Sequence, residues 1–246
     1  MLATLSLFHV INPMQRILVT ALVAGGIAGL FVFAVQHAKL TPLILAAEVY
    51  ESGAAERQPN APGGPEHVPP AWEPSSGPER TAYTALADII VGVGYALLLV
   101  GAFVLRGAPV DVSRGMAWGA AGYAVFSLAP ALGLPPELPG SHSADLFTRQ
   151  EWWLGTAAAT AGGSALLAFS RSVLLKAAGA VVLALPHLIG APHPHEIGGP
   201  VPPELAAEFT AASLATSALF WLVLGALCGG IYARLGRREA PLRSYS

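Results

Sequence analysis

The chain has 246 residues, 54% of them hydrophobic and only 11% charged, with a mean hydropathy of +0.56. A soluble globular domain averages about 25% charged residues, so this composition excludes a water-covered surface and puts the chain in lipid. The formal net charge of −2 says nothing until the charges are placed; the single cysteine excludes an intrachain disulfide and a cysteine-rich zinc site, and the lack of a basic tract and of a nucleic-acid motif argues against nucleic acid as a partner.

The first thirteen residues, MLATLSLFHVINP, are too short and too little charged for a signal peptide. They read as a tail, with Met14 as an alternative start. A membrane-spanning helix needs about 20 mostly apolar residues. Six segments meet this: 17–37, 83–105, 115–134, 152–170, 173–190 and 210–233. Only Ser170, Arg171 and Ser172 separate the fourth from the fifth, so five spans with one re-entrant segment is the alternative count. The stretch 51–80 is rich in Pro, Gly, Glu and Ser and too poor in apolar residues for a core, which predicts a mobile loop. Residues 239–246 form a second tail. The expected fold is all-α, a polytopic transmembrane helix bundle in a single membrane domain, 1–246, with its core over 14–238.

The basic residues orient the bundle. With both termini in the cytoplasm, the inner side holds Arg16, Arg106, Arg114, Arg171, Lys176, Arg234, Arg237, Arg238 and Arg243. The outer side holds Lys39, Arg57, Arg80 and Arg149. This is the positive-inside pattern, and an even number of spans fits it. Twelve carboxylates then fall outside, among them Glu48, Glu51, Glu137, Asp145, Glu196, Glu204 and Glu208, together with six of the histidines. Such a face would concentrate cations; acidic loops are also simply solvated.

Three outward-going segments end alike, in a proline and then a carboxylate: Pro42 and Glu48, Pro130 and PPEL at 135–138, Pro186 and PPEL at 202–205. They suggest three repeated helical hairpins, and transporters often place sites at repeat interfaces. The last is the richest in chemistry. LALPHLIGAPHPHE, Leu183 to Glu196, runs from apolar residues into His187, His193, His195 and Glu196. Its prolines at 186, 192 and 194 predict irregular backbone, which a membrane tolerates only inside protein or beside a wet cavity. Imidazole and carboxylate are ligands for divalent transition metals. The candidate metal residues are therefore His187, His193, His195, Glu137, Glu48 and Asp88. Asp88 qualifies because it is ionisable within the second span. A carbonyl-bonded histidine, a capping or solvated acid and a paired aspartate are the plain alternatives. Trp152 and Trp153 read as interface anchors, and GTAAATAGG at 155–163 as a surface for close helix packing. No Walker loop, HExxH or GxSxG is present, so an enzyme is not expected.

The segments TPLILAAEVYE (41–51), SLAPALGLPPELPG (127–140), RQEWWLGTAAAT (149–160), LPHLIGAPHP (185–194) and SLATSALFWLVLGAL (213–227) resemble the CbtA family, predicted cobalt transporter subunits of bacteria. The resemblance implies a multi-pass inner-membrane subunit that handles Co²⁺, a link to cobalamin synthesis, and a small histidine-rich membrane partner, CbtB. It implies no resident cofactor and assigns no ligand residues. Nickel as cargo, and a structural or assembly subunit supporting a partner, are the alternatives; the residues alone do not separate cobalt from nickel.

Overall fold

A computed structural model describes residues 12–57, 72, 74–194 and 198–237. Seven helices and no strand occur among them. They are α1 (Pro13–Lys39), α2 (Thr41–Arg57), α3 (Pro78–Arg106), α4 (Val112–Tyr123), α5 (Leu146–Phe169), α6 (Val173–Ile189) and α7 (Pro203–Arg237). A π-helical turn (Ala124–Leu128) and a last turn (Ala129–Ala131) continue α4. By length and apolar composition α1, α3 and α7 are able to cross a membrane, and α6 is a shorter apolar helix. Leu22, Leu30, Ile90, Leu98, Leu174 and Leu188 are all more than half exposed, a surface suited to lipid. The protein is a helical membrane bundle.

Each of the six apolar segments coincides with one helical stretch to within a few residues. The expected loop at 51–80 is shorter than predicted, because α2 carries helix to Arg57 and α3 starts at Pro78. Proline costs nothing in a first turn, where its missing N–H has no helical partner anyway. Residues 58–71, the remainder of that loop's expected mobile part, lie outside the described residues.

Local chemistry sets the helix ends. At α1 the Asn12 side chain accepts from the Gln15 N–H (2.8 Å) and the Gln15 side chain accepts from the Asn12 N–H (3.1 Å). This is a reciprocal capping box, with Pro13 at the first helical position. Asp111 caps α4 by accepting from the Arg114 N–H (2.8 Å). Asp145 caps α5 through the Thr148 N–H (3.0 Å), and Ser172 caps α6 through the Leu175 N–H (3.5 Å). The Ser170–Ser172 boundary is therefore a real break, and α5 and α6 are two helices.

Proline does less damage than the sequence suggests. The expected irregular backbone begins after Gly190, not at Pro186, because α6 runs through Pro186 to Ile189. Only the bond to the Val182 carbonyl is lost, and the Gly190 N–H closes the end by donating to the Pro186 carbonyl (3.0 Å). Gly190 takes φ +89°, which favours glycine. In α4 the widened π turn lies directly ahead of Pro130. Widening relieves the clash between the proline ring and the preceding turn.

The chain divides into two compact units. The first comprises 1–31, 81–120 and 220–246. Its helices approach through glycine. A methyl group on Gly92 of α3 would overlap the Gly25 carbonyl of α1, and one on Gly225 of α7 would overlap the Gly115 carbonyl of α4. Gly25/Gly29, Gly115/Gly119 and Gly225/Gly229 are each four apart, the small-xxx-small spacing that lets helix backbones touch in lipid. Tyr95 lies 4.7 Å from the Trp221 ring, and Phe103 lies edge-on to Trp118 and Tyr232. Arg16 stacks 3.6 Å over Tyr232 and donates to its carbonyl at 2.9 Å.

The second unit comprises 32–80 and 121–219. Here α5 and α6 form an antiparallel hairpin that closes at Gly163, where a methyl group would sit 2.6 Å from the Gly179 carbonyl and 3.1 Å from Leu183 Cβ. Phe126 of the π turn meets Trp153 of α5 at 6.2 Å. Ser127 of the same turn shares a 2.7 Å hydrogen bond with Ser217 of α7.

Candidate functional site

Three corners that are far apart in sequence meet in the second unit. Gly140, at φ +78°, is where they touch: a methyl group there would lie 3.2 Å from Glu51 Cβ of α2 and 3.5 Å from Pro200 Cγ. The His142 N–H donates to the Gly198 carbonyl (3.3 Å). Gly133 faces the Trp152 ring, 2.5 Å from a methyl position, and Ala191 Cβ at 2.8 Å. The Thr210 hydroxyl of α7 donates to the Pro136 carbonyl (3.0 Å) and ties the middle corner down. Close packing of loop on loop is what the glycines at 133, 140 and 199 permit.

His187 sits in the last turn of α6, half-buried, with its ring edge-on to Trp152 at 6.0 Å and 71°. Trp152 is thus more than an interface anchor: it backs a candidate ligand and packs on Gly133. His193 is exposed on the connection after α6. His195 and Glu196 lie outside the described residues.

The carboxylates are held by arginine. Glu48 on α2 receives two contacts from Arg80, at 2.6 and 3.4 Å. Glu137 pairs with Arg149 at 3.1 Å and accepts from the Ser143 hydroxyl. Arg80 and Arg149 are two of the four basic residues assigned to the outer side. The excess of acid expected there is therefore matched locally at Glu48 and Glu137, two of the three carboxylates singled out as ligands. Asp88 belongs to α3 in the first unit, and its carbonyl lies against Gly29. Among the described residues no three or more His, Cys, Asp or Glu side chains are placed to hold a metal ion. The corners converge; the ligands do not form a ready-made centre.

One feature of this region escaped the reading of the sequence. Thr156 and Thr160 are buried, at 0% and 3% exposure, and they follow Trp152 at four-residue steps. That spacing was visible within RQEWWLGTAAAT, but the stretch read only as a small-residue packing surface.

A family profile described as a probable cobalt transporter subunit (CbtA) matches residues 14–233. The chain belongs to the CbtA family. The CbtA match runs from the first turn of α1 to the last turns of α7 and takes in both compact units. It leaves out the two tails that the sequence set aside. The family is that of a probable cobalt transporter subunit, which is not an enzyme class. Comparison with curated proteins and with solved structures finds no match.

Proposed function

We propose that this subunit receives Co²⁺ at the outer face of a bacterial inner membrane and passes it into the bilayer beside His187. The convergence of α2, the 133–140 corner and the 198–200 corner around Gly140, with Glu137 on the second and His187 in the helical turn that leads into the third, carries this reading. Imidazole and carboxylate suit Co²⁺. The topology has six spans and both termini in the cytoplasm, as the basic residues indicate. A small membrane partner, CbtB, completes the ligand set with its histidines.

Capture at the corners is an exchange. The cation displaces Arg149 from Glu137, and both side chains keep about 30% of their surface exposed, so the pair is weak. Exposed pairs contribute about 0.2–1 kcal/mol. Arg149→Ala is expected to lower the half-saturating cobalt concentration by at most about fivefold. A rise in that concentration, measured from initial uptake rates, would show that Arg149 supports capture and does not compete with it.

The direct test is accumulation of radioactive cobalt in cells expressing this chain with and without the small partner, with nickel as competitor. Uptake that needs this chain and resists nickel supports a cobalt carrier. Uptake supported by the partner alone moves this chain to an assembly subunit, the reading that its glycine-packed first unit favours.

A further inference from the structure

Trp152, Thr156 and Thr160 lie at successive four-residue steps on one stripe of α5. The Trp152 indole N–H and the two threonine hydroxyls are buried and find no hydrogen-bond partner among the described residues. Buried threonines in helices ordinarily donate back to a carbonyl one turn earlier; these two do not. Three unmet donors in a row on one helix is far from the usual, near-complete satisfaction of buried polar groups.

The stripe runs along the seam where α5 packs on two neighbours, and this seam is the crevice in question. Trp152 at its one end touches His187 of α6, and Gly163 at its other end touches Gly179 and Leu183 of α6. Trp153, about a quarter turn round the helix, meets Phe126 of the π turn of α4. Thr156 and Thr160 fall between those two directions, where α5 meets both α6 and the π turn. π turns recur at functional sites. This one ends at Leu128, two residues before Pro130, which has no N–H to offer, so one of the turn's carbonyls lacks a helical donor.

We infer that this crevice takes up water from the outer face and forms the hydrated path by which a divalent cation leaves His187. Water is the ligand that fits the groups present: it accepts from the indole N–H and both gives to and accepts from hydroxyls. Trp152 to Thr160 spans about 12 Å along the helix, room for a short file of water molecules. The Gly163–Gly179 contact stops the file at its inner end. The cargo rests on the function proposed above; the wetness of the crevice does not.

The experiment uses the full chain in its membrane, with Cys228→Ala to remove the one native thiol. Thr156→Cys and Thr160→Cys are exposed from outside to a small charged methanethiosulfonate. A control, Ala157→Cys, is equally buried but lies on the side away from α6. Thiols react as thiolates and only where water reaches them, so Thr156→Cys is expected to label about tenfold faster than the control. Equal rates at 156 and 157 would overturn the inference. Uptake reads it a second way: Thr156→Ser keeps cobalt accumulation and Thr156→Val, alike in shape but unable to bond water, loses most of it. Equal accumulation in the two variants would also overturn it. Fast labelling in a chain that accumulates no cobalt would remove the cargo and leave the crevice.

Discussion

Leucine in place of Gly225 is expected to force α4 away from α7 and to lower stability by about 1–3 kcal/mol, the range for overpacking a tight interior. The cause is backbone contact. A methyl group at 225 already overlaps the Gly115 carbonyl and comes 2.9 Å from Gly119 Cα, and neither is a flexible side-chain end that can swing aside. Within lipid no hydrophobic force draws helices together, so close van der Waals approach at small residues carries the association. Gly94→Ala is the matched control, because nothing lies within 4 Å of a methyl group there. It should be neutral or stabilising by up to about 1 kcal/mol, the helix preference of alanine over glycine. Thermal unfolding of the detergent-purified chain, followed by the fluorescence of Trp221 and its neighbours, separates the two. A Gly225→Leu protein that melts with the wild type would mean that the α4–α7 contact holds nothing together.

The helices were legible because twenty apolar residues in lipid have almost no other way to satisfy their backbone. Their ends were legible where a cap chemistry stands at the boundary, as at Asn12, Asp145 and Ser172. Proline misled. By sequence it predicts irregular backbone at 186, where the structure loses one hydrogen bond and continues, since the helix ends a turn later and Gly190 closes it. The helical nature of 41–57 was only half visible: Glu48 and Glu51 suggested a short helix, while the polar residues that follow suggested loop. What a sequence does not carry is who faces whom. Twelve carboxylates on one side read as an open acidic face until Arg80 and Arg149 take Glu48 and Glu137. Likewise a Thr-x-x-x-Thr pair among alanines reads as packing until both hydroxyls prove to be buried and unmet. The three corners illustrate the opposite case: a weak internal similarity pointed to elements that do meet at Gly140, because glycine and proline at a loop both mark the turn and permit the contact.

Replacing His187 by alanine is expected to reduce cobalt accumulation on the order of tenfold, the lower end of what losing even an outer-shell partner does to metal affinity. His187 carries this expectation alone among the six candidates for reasons of position. It stands on a helix and not on a loop, its imidazole is braced by Trp152, and it lies at the Trp152 end of the stripe that continues through Thr156 and Thr160. Glu137 already has a guanidinium and a hydroxyl as partners, so it is less available to a cation, and the effect of Glu137→Ala should be smaller. Trp152→Phe keeps the ring contact and loses the N–H; Trp152→Ala loses both and frees the imidazole to turn. A graded loss, with Trp152→Ala approaching His187→Ala and Trp152→Phe between it and the wild type, would show that orientation of the imidazole matters as well as its presence. Initial rates of cobalt uptake, normalised to the amount of chain in the membrane, are the measurement. If His187→Ala and Glu137→Ala both transport at the wild-type rate, the ion does not pass these corners. His187 would then be a ring that packs against a tryptophan and nothing more.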